Sequence, residues 1–142
     1  MTEQEIREVQ DAIYNQSKGR IKLDLSISPK YEAPRWMEYL VVQSRDNPNR
    51  VTAIIFSDHR FILCEMERDI PTDYFSCHPS HVRVATWRPK STVDLNLHAE
   101  FKIKSFIGES RHMICVSQED SNRIDNLIEK INEKHKKEKG TL

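Results

Sequence analysis

An α+β domain, with seven antiparallel strands followed by a closing helix, is what this sequence predicts from three observations. The first is Ile21-Lys22-Leu23-Asp24-Leu25-Ser26-Ile27-Ser28, where apolar and polar residues alternate. Successive side chains of a strand point to opposite faces, so this run reads as a strand with one buried face. The second is a series of short runs rich in Val, Ile, Tyr and Phe, set between turn residues. The third is a late stripe, Ile124, Leu127, Ile128 and Ile131, at the spacing of one helix face. A length of 142 residues suits a single domain, 1–142, with enough chain to bury a core.

Along the chain, 3–17 place Ile6, Val9 and Ile13 at helical spacing behind acidic residues, which predicts an amphipathic helix stopped by Gly19. That stripe must be covered by the same domain, by a second copy in a homodimer, or by a further part of a longer chain. Packing on the same domain comes first, and Ile6, Val9 and Ile13 are the candidate partner-binding residues. Strands are expected across 20–116: the alternating run, then 36–43, 51–56, 61–66, 82–87, 95–103 and 113–116. Asp46-Asn47-Pro48-Asn49 and Ser57-Asp58-His59-Arg60 supply turns. The stretch 68–80, with Pro71 and Pro79, reads as a loop. Ser117 with Asp120 three residues later resembles a capping box and opens a closing helix over 118–136. Short connections favour a meander, and so wide a sheet must curl or split to bury its apolar face.

Composition excludes several functions. The formal net charge is zero, so no global field draws the chain to nucleic acid, and the lysines near the C-terminus are broken up by Glu133 and Glu138. Three glycines leave little room for a glycine-rich phosphate loop. No apolar run is long enough to span a bilayer, and MTEQEIREVQ lacks the basic and apolar start of a secretory signal. Cys64, Cys77 and Cys115 are odd in number and irregularly spaced, which suits reduced thiols and a cytoplasmic location.

The element order resembles the pleckstrin-homology (PH) fold. Val51 to Leu63 look like the middle hairpin of PH-like domains, and Ile114-Cys115-Val116-Ser117-Gln118-Glu119-Asp120 with its Ile/Leu stripe is similar to their last strand and closing helix. The helix ahead of the first strand, with Ile70-Pro71-Thr72 after the fourth, resembles the N-terminal PH domain of the CARMIL family of actin regulators. The resemblance implies a module of a larger protein, cytoskeleton regulation and peripheral membrane association.

Four readings of the site residues follow. Lys18, Arg20, Lys22, Lys30 and Arg35 gather around the first strand and its loop. In PH domains that bind phosphoinositides, basic residues of this hairpin approach the headgroup, so these five are the candidate lipid- and anion-binding residues. Lys22, Lys30 and Arg35 are expected to share one rim, with Tyr31 and Trp36 suited to a membrane interface. Glu32 and Glu38 oppose that charge, and an ordinary solvated face with Trp36 in the core competes with it. Cys77-His78-Pro79-Ser80-His81 brings three zinc-capable side chains together without a second pair nearby, and Cys77 as a nucleophile would need a base and an orienting group. The expected function is therefore a non-enzymatic tether without cofactor, binding anionic phospholipid weakly. A protein–protein adaptor, or a small metal or Cys/His enzyme, is the alternative.

Overall fold

The structure is a computed structural model and describes residues 1–26, 32–87, 97–105 and 107–140. Helix α1 spans Glu3–Gln16. Its start is a reciprocal capping box: Glu5 N donates to Thr2 Oγ1 at 3.1 Å, and Thr2 N donates to Glu5 Oε1 at 3.0 Å. Hydrogen bonds from the Thr2 backbone and side chain hold the Glu5 carboxyl below its usual range. At the other end Lys18 and Gly19 take left-handed φ values of 55° and 78°, and Gly19 N donates to Tyr14 O. That left-handed pair stops the helix and turns the chain back.

The alternating run that follows is not a strand. Residues 21–26 form no ladder, and 27 and 28 lie outside the described residues. Ile21 and Leu25 are buried, whereas Lys22 and Asp24 face solvent. The period of two arises because this strap lies against α1 and the sheet, and Leu25 N donates to Gln10 Oε1 at 2.7 Å.

Among the described residues seven strands form nonetheless, because 68–80, whose prolines suggest a loop, holds one. They are β1 (Met37–Gln43), β2 (Arg50–Ser57), β3 (Phe61–Glu67), β4 (Ile70–Cys77), β5 (Val82–Trp87), β6 (Leu97–Ser105) and β7 (Gly108–Val116). They make two antiparallel sheets, β1-β2-β3-β4 and β5-β6-β7, rather than one continuous sheet or closed barrel. Splitting lets each sheet turn an apolar face to the other. Leu40, Ile54, Phe61 and Leu63 of the first meet Ala99, Phe101 and Ile114 of the second in one core. Ile6, Val9 and Ile13 instead cover the outer face of the first sheet, with Val41, Ala53, Ile55 and Ile62. The helix stripe is thus covered within its own domain, the first of the three covers expected for it.

Helix α2 (Gln118–Gly140) closes the open side and runs past the expected end at 136. Asp120 N donates to Ser117 Oγ, but the Asp120 carboxylate turns to Arg123, so the box is only half formed. Ile124, Leu127 and Ile131 are buried and Ile128 is half-buried. Replacing Leu127 with Ala should cost about 2–5 kcal/mol in denaturant unfolding, and the half-buried Ile128→Ala should cost less. Equal, negligible losses would mean that α2 is not part of the core.

Candidate functional site

Three segments distant in sequence enclose a cleft of about 190 Å³: the end of α1, the β1–β2 connection and the first turn of α2. Lys18, Arg20 and Arg123 line it, against one carboxylate, Asp120. The left-handed turn after α1 presents Lys18 to solvent, and Lys18 and Arg20 meet no acidic side chain among the described residues. Arg20 Nη1 donates to Asn49 O at 3.2 Å. Arg123 Nη1 donates to Asp120 Oδ1 at 2.9 Å and to Val41 O at 3.4 Å. Backbone carbonyls therefore hold both guanidinium groups at the cleft while other N–H donors stay uncommitted.

Of the five cations expected to act together, the structure joins Lys18 and Arg20. Lys22 follows them, exposed on the strap, and Lys30 lies outside the described residues, as does Tyr31. Arg35 is elsewhere: its N donates to the Asp58 carboxylate at the β2–β3 turn, the far end of β1 from the Arg20–Asn49 contact. Seven extended residues of β1 separate those ends by about 20 Å. Arg35 therefore does not share the cleft with Lys18 and Arg20. Trp36 is partly buried against the core. The His135 ring meets it edge-on at 5.7 Å and Lys134 Nζ stands 5.3 Å from its ring centre, while Lys134 pairs with Glu38.

The Cys77–His81 segment does not converge. Cys77 ends β4 on its inner face against the core, and burial pushes its thiol up. His78 Nδ1 is engaged by Ser80 Oγ at 2.7 Å, and the His78 and His81 rings lie 6.2 Å apart. Among the described residues no three His, Cys, Asp or Glu side chains are placed to hold a metal ion. A raised pKa leaves little thiolate near neutral pH. At pH 7.5 Cys77 and the buried Cys64 should therefore react with a disulfide reagent more slowly than in the unfolded chain. Cys77 reacting faster in the native protein would reveal an activated nucleophile.

A polar cluster that sequence reading missed lies inside the sandwich. His112 of β7 places Nδ1 2.6 Å from Asp73 Oδ2 of β4, and Nε2 3.0 Å from Glu65 Oε2 of β3. The second contact is close but lacks hydrogen-bond alignment. Thr72 Oγ1 donates to Glu65 Oε1 at 2.8 Å, and Arg50 Nε stands 3.6 Å from that atom. The imidazole faces carboxylates on two different strands, so the cluster joins one sheet to the other. It contains no cysteine or serine nucleophile, and Glu65 and His112 are buried.

No protein-family model, curated protein or solved structure matches this chain. The cleft and the polar cluster are therefore judged on geometry alone. Among the described residues no helix is long and apolar enough to cross a membrane. The cleft opens to solvent with three cations to one carboxylate; the cluster is largely buried and its groups face one another across the sheets, as in a structural joint. Removing the imidazole leaves two carboxylates directly opposite each other on neighbouring strands of the first sheet, facing the second without their partner. His112→Leu should cost about 3–5 kcal/mol in denaturant unfolding. A silent substitution would show that the cluster does not hold the sheets together.

Proposed function

We propose that the chain is a non-enzymatic, PH-like binding module that tethers by taking an anionic group into the cleft between α1, the β1–β2 connection and α2. One observation carries the reading: in a chain of zero net charge, three cations share a cleft with a single carboxylate. Its volume of about 190 Å³ exceeds several times the ~30 Å³ share of one liquid water, so a phosphate-sized anion fits. Arg20 and Arg123 are held by backbone carbonyls, so binding an anion immobilises less side-chain freedom than it would on a bare surface. The four- and three-stranded sheets closed by a C-terminal helix support the PH-like reading by element order. Cation pairs with an anion in so open a cleft are screened by salt beyond about 8 Å at physiological ionic strength.

Titration of the chain with inorganic phosphate, followed by amide resonances, should give saturating shifts at 17–20, 41–51 and 120–123. Those shifts should shrink with added salt and vanish in R20Q/R123Q. Saturation elsewhere, or shifts indifferent to the double substitution, would overturn the cleft and leave a protein adaptor as the reading to pursue.

A further inference from the structure

The outer face of the second sheet carries an arrangement that the cleft does not explain. The core takes Leu97, Ala99, Phe101 and Ile103 of β6, which turns Lys102 and Lys104 to the other face. Register sets Arg83 of β5 opposite Lys102 and Lys102 opposite Arg111 of β7. Three cations thus form one row across all three strands, with Lys104 next to it. Like charges directly opposite each other destabilise a sheet. Among the described residues two carboxylates share the face: Glu109, paired with Arg111 at 3.2 Å, and the buried Glu100, whose Oε1 lies 3.9 Å from Lys102 and 3.8 Å from Arg111. Arg83 and Lys104 are exposed; Lys104 stands opposite Glu109 in register, but Glu109 pairs with Arg111, and among the described residues neither Arg83 nor Lys104 is in a salt bridge. The same hairpin ends in Ile107, which is 100% exposed, and Met113 stands exposed on the same face.

We propose that this face docks on an anionic lipid bilayer, with Ile107 entering the interface and Arg83, Lys102, Lys104 and Arg111 meeting the headgroups. Charge complementarity selects the occupant. A row of cations that repel one another in the free protein is relieved by a surface of many negative charges, and an apolar tip in water gains by entering an acyl boundary. A phosphate-sized anion could not span the row, and a nucleic acid would leave Ile107 in water. The inference rests on the reading of the chain as an anionic tether but uses a different surface. Arg45 N donates to Cys115 O, which ties the β1–β2 connection to the far end of β7 from Ile107. Nine residues of β7 separate the two ends by about 25 Å, so the cleft stays open when the tip is docked.

The test is co-sedimentation of the full chain with phosphatidylcholine vesicles, with and without phosphatidylserine. Binding is expected only with phosphatidylserine, falling as salt rises. R83Q/K104Q should weaken it roughly 25-fold, from about fivefold for each cation near an anionic surface. I107S should weaken it several-fold. Because R83Q removes a repulsion, its thermal midpoint should not fall, which separates lost docking from lost fold. Absence of vesicle binding, or binding indifferent to R83Q/K104Q, overturns the docking face even where phosphate still titrates the cleft. Duplex oligonucleotide binding that needs Arg83 and Lys104 but ignores I107S also overturns it, in favour of a nucleic acid. Vesicle binding without any phosphate response in the cleft supports the face and refutes the cleft.

Discussion

Burial of β2 on both faces is the constraint from which the rest of the structure follows. Every residue from Val51 to Ser57 is buried. Val51, Ala53 and Ile55 face α1, while Ile54 and Phe56 face the second sheet. A strand apolar at consecutive positions needs cover on two sides. The second sheet with α2 supplies one cover; α1 and the strap of Ile21 and Leu25 supply the other. The N-terminus is fastened accordingly, with the Met1 ammonium donating to Pro34 O at 2.9 Å. Helix α1 is therefore part of the core rather than an appendage. Its docking is also what carries Lys18 and Arg20 to the first turn of α2, so the cleft is a by-product of covering the sheet.

The second sheet is treated differently. Its inner face is apolar, and no helix lies over its outer face among the described residues, so charge can collect there without disturbing the core. Where the two sheets meet at β4 and β7, apolar contact gives way to His112 between Asp73 and Glu65. A buried polar joint of this kind is a poor source of net stability, since desolvation offsets much of the attraction. It is directional, however: His112 Nδ1 must meet the Asp73 carboxylate. We read it as fixing how the sheets are registered against each other, a role that apolar packing alone performs loosely. Pro71 and the inward carboxylate of Asp73 also make β4 a poor edge for pairing with another chain.

What was legible in the sequence was whatever depends on one element's own pattern. Ile6, Val9 and Ile13 announced α1, and Ile124, Leu127 and Ile131 announced α2, because each stripe is local. The Thr2-to-Glu5 capping box was equally readable and was passed over. Ile21 to Ser26 misled because alternation reports two-sided surroundings, not hydrogen-bonded pairing; a strap wedged under a helix has the same period as a strand. β4 was hidden for the opposite reason. Its inward positions include Asp73 beside Phe75 and Cys77, so burial alternates while hydropathy does not. The cations were the least legible. Arg20 and Arg35 are near in sequence and held at opposite ends of β1, whereas Arg20 and Arg123 are the reverse. Nothing in the sequence shows that Arg83, Lys102 and Arg111 share a row, since that depends on the register of three strands.

Net charge conceals the same thing at the scale of the whole molecule. Twenty-two cations and twenty-two anions sum to zero, which argues against a general attraction to polyanions. The sum says nothing about segregation. The fold gathers Lys18, Arg20 and Arg123 at one place and Arg83, Lys102, Lys104 and Arg111 at another, and many acids lie elsewhere, on the exposed side of α1 and along α2. A cation row across neighbouring strands is a standing cost to the sheet, and Glu100, buried beneath Lys102 and Arg111, offsets only part of it. Were neutrality alone at issue, one acid in place of Arg83 or Lys102 would remove the repulsion without touching the core, since both side chains point away from it. That the row persists where relief is so simple is the physical reason for looking outside the chain for its counter-charge.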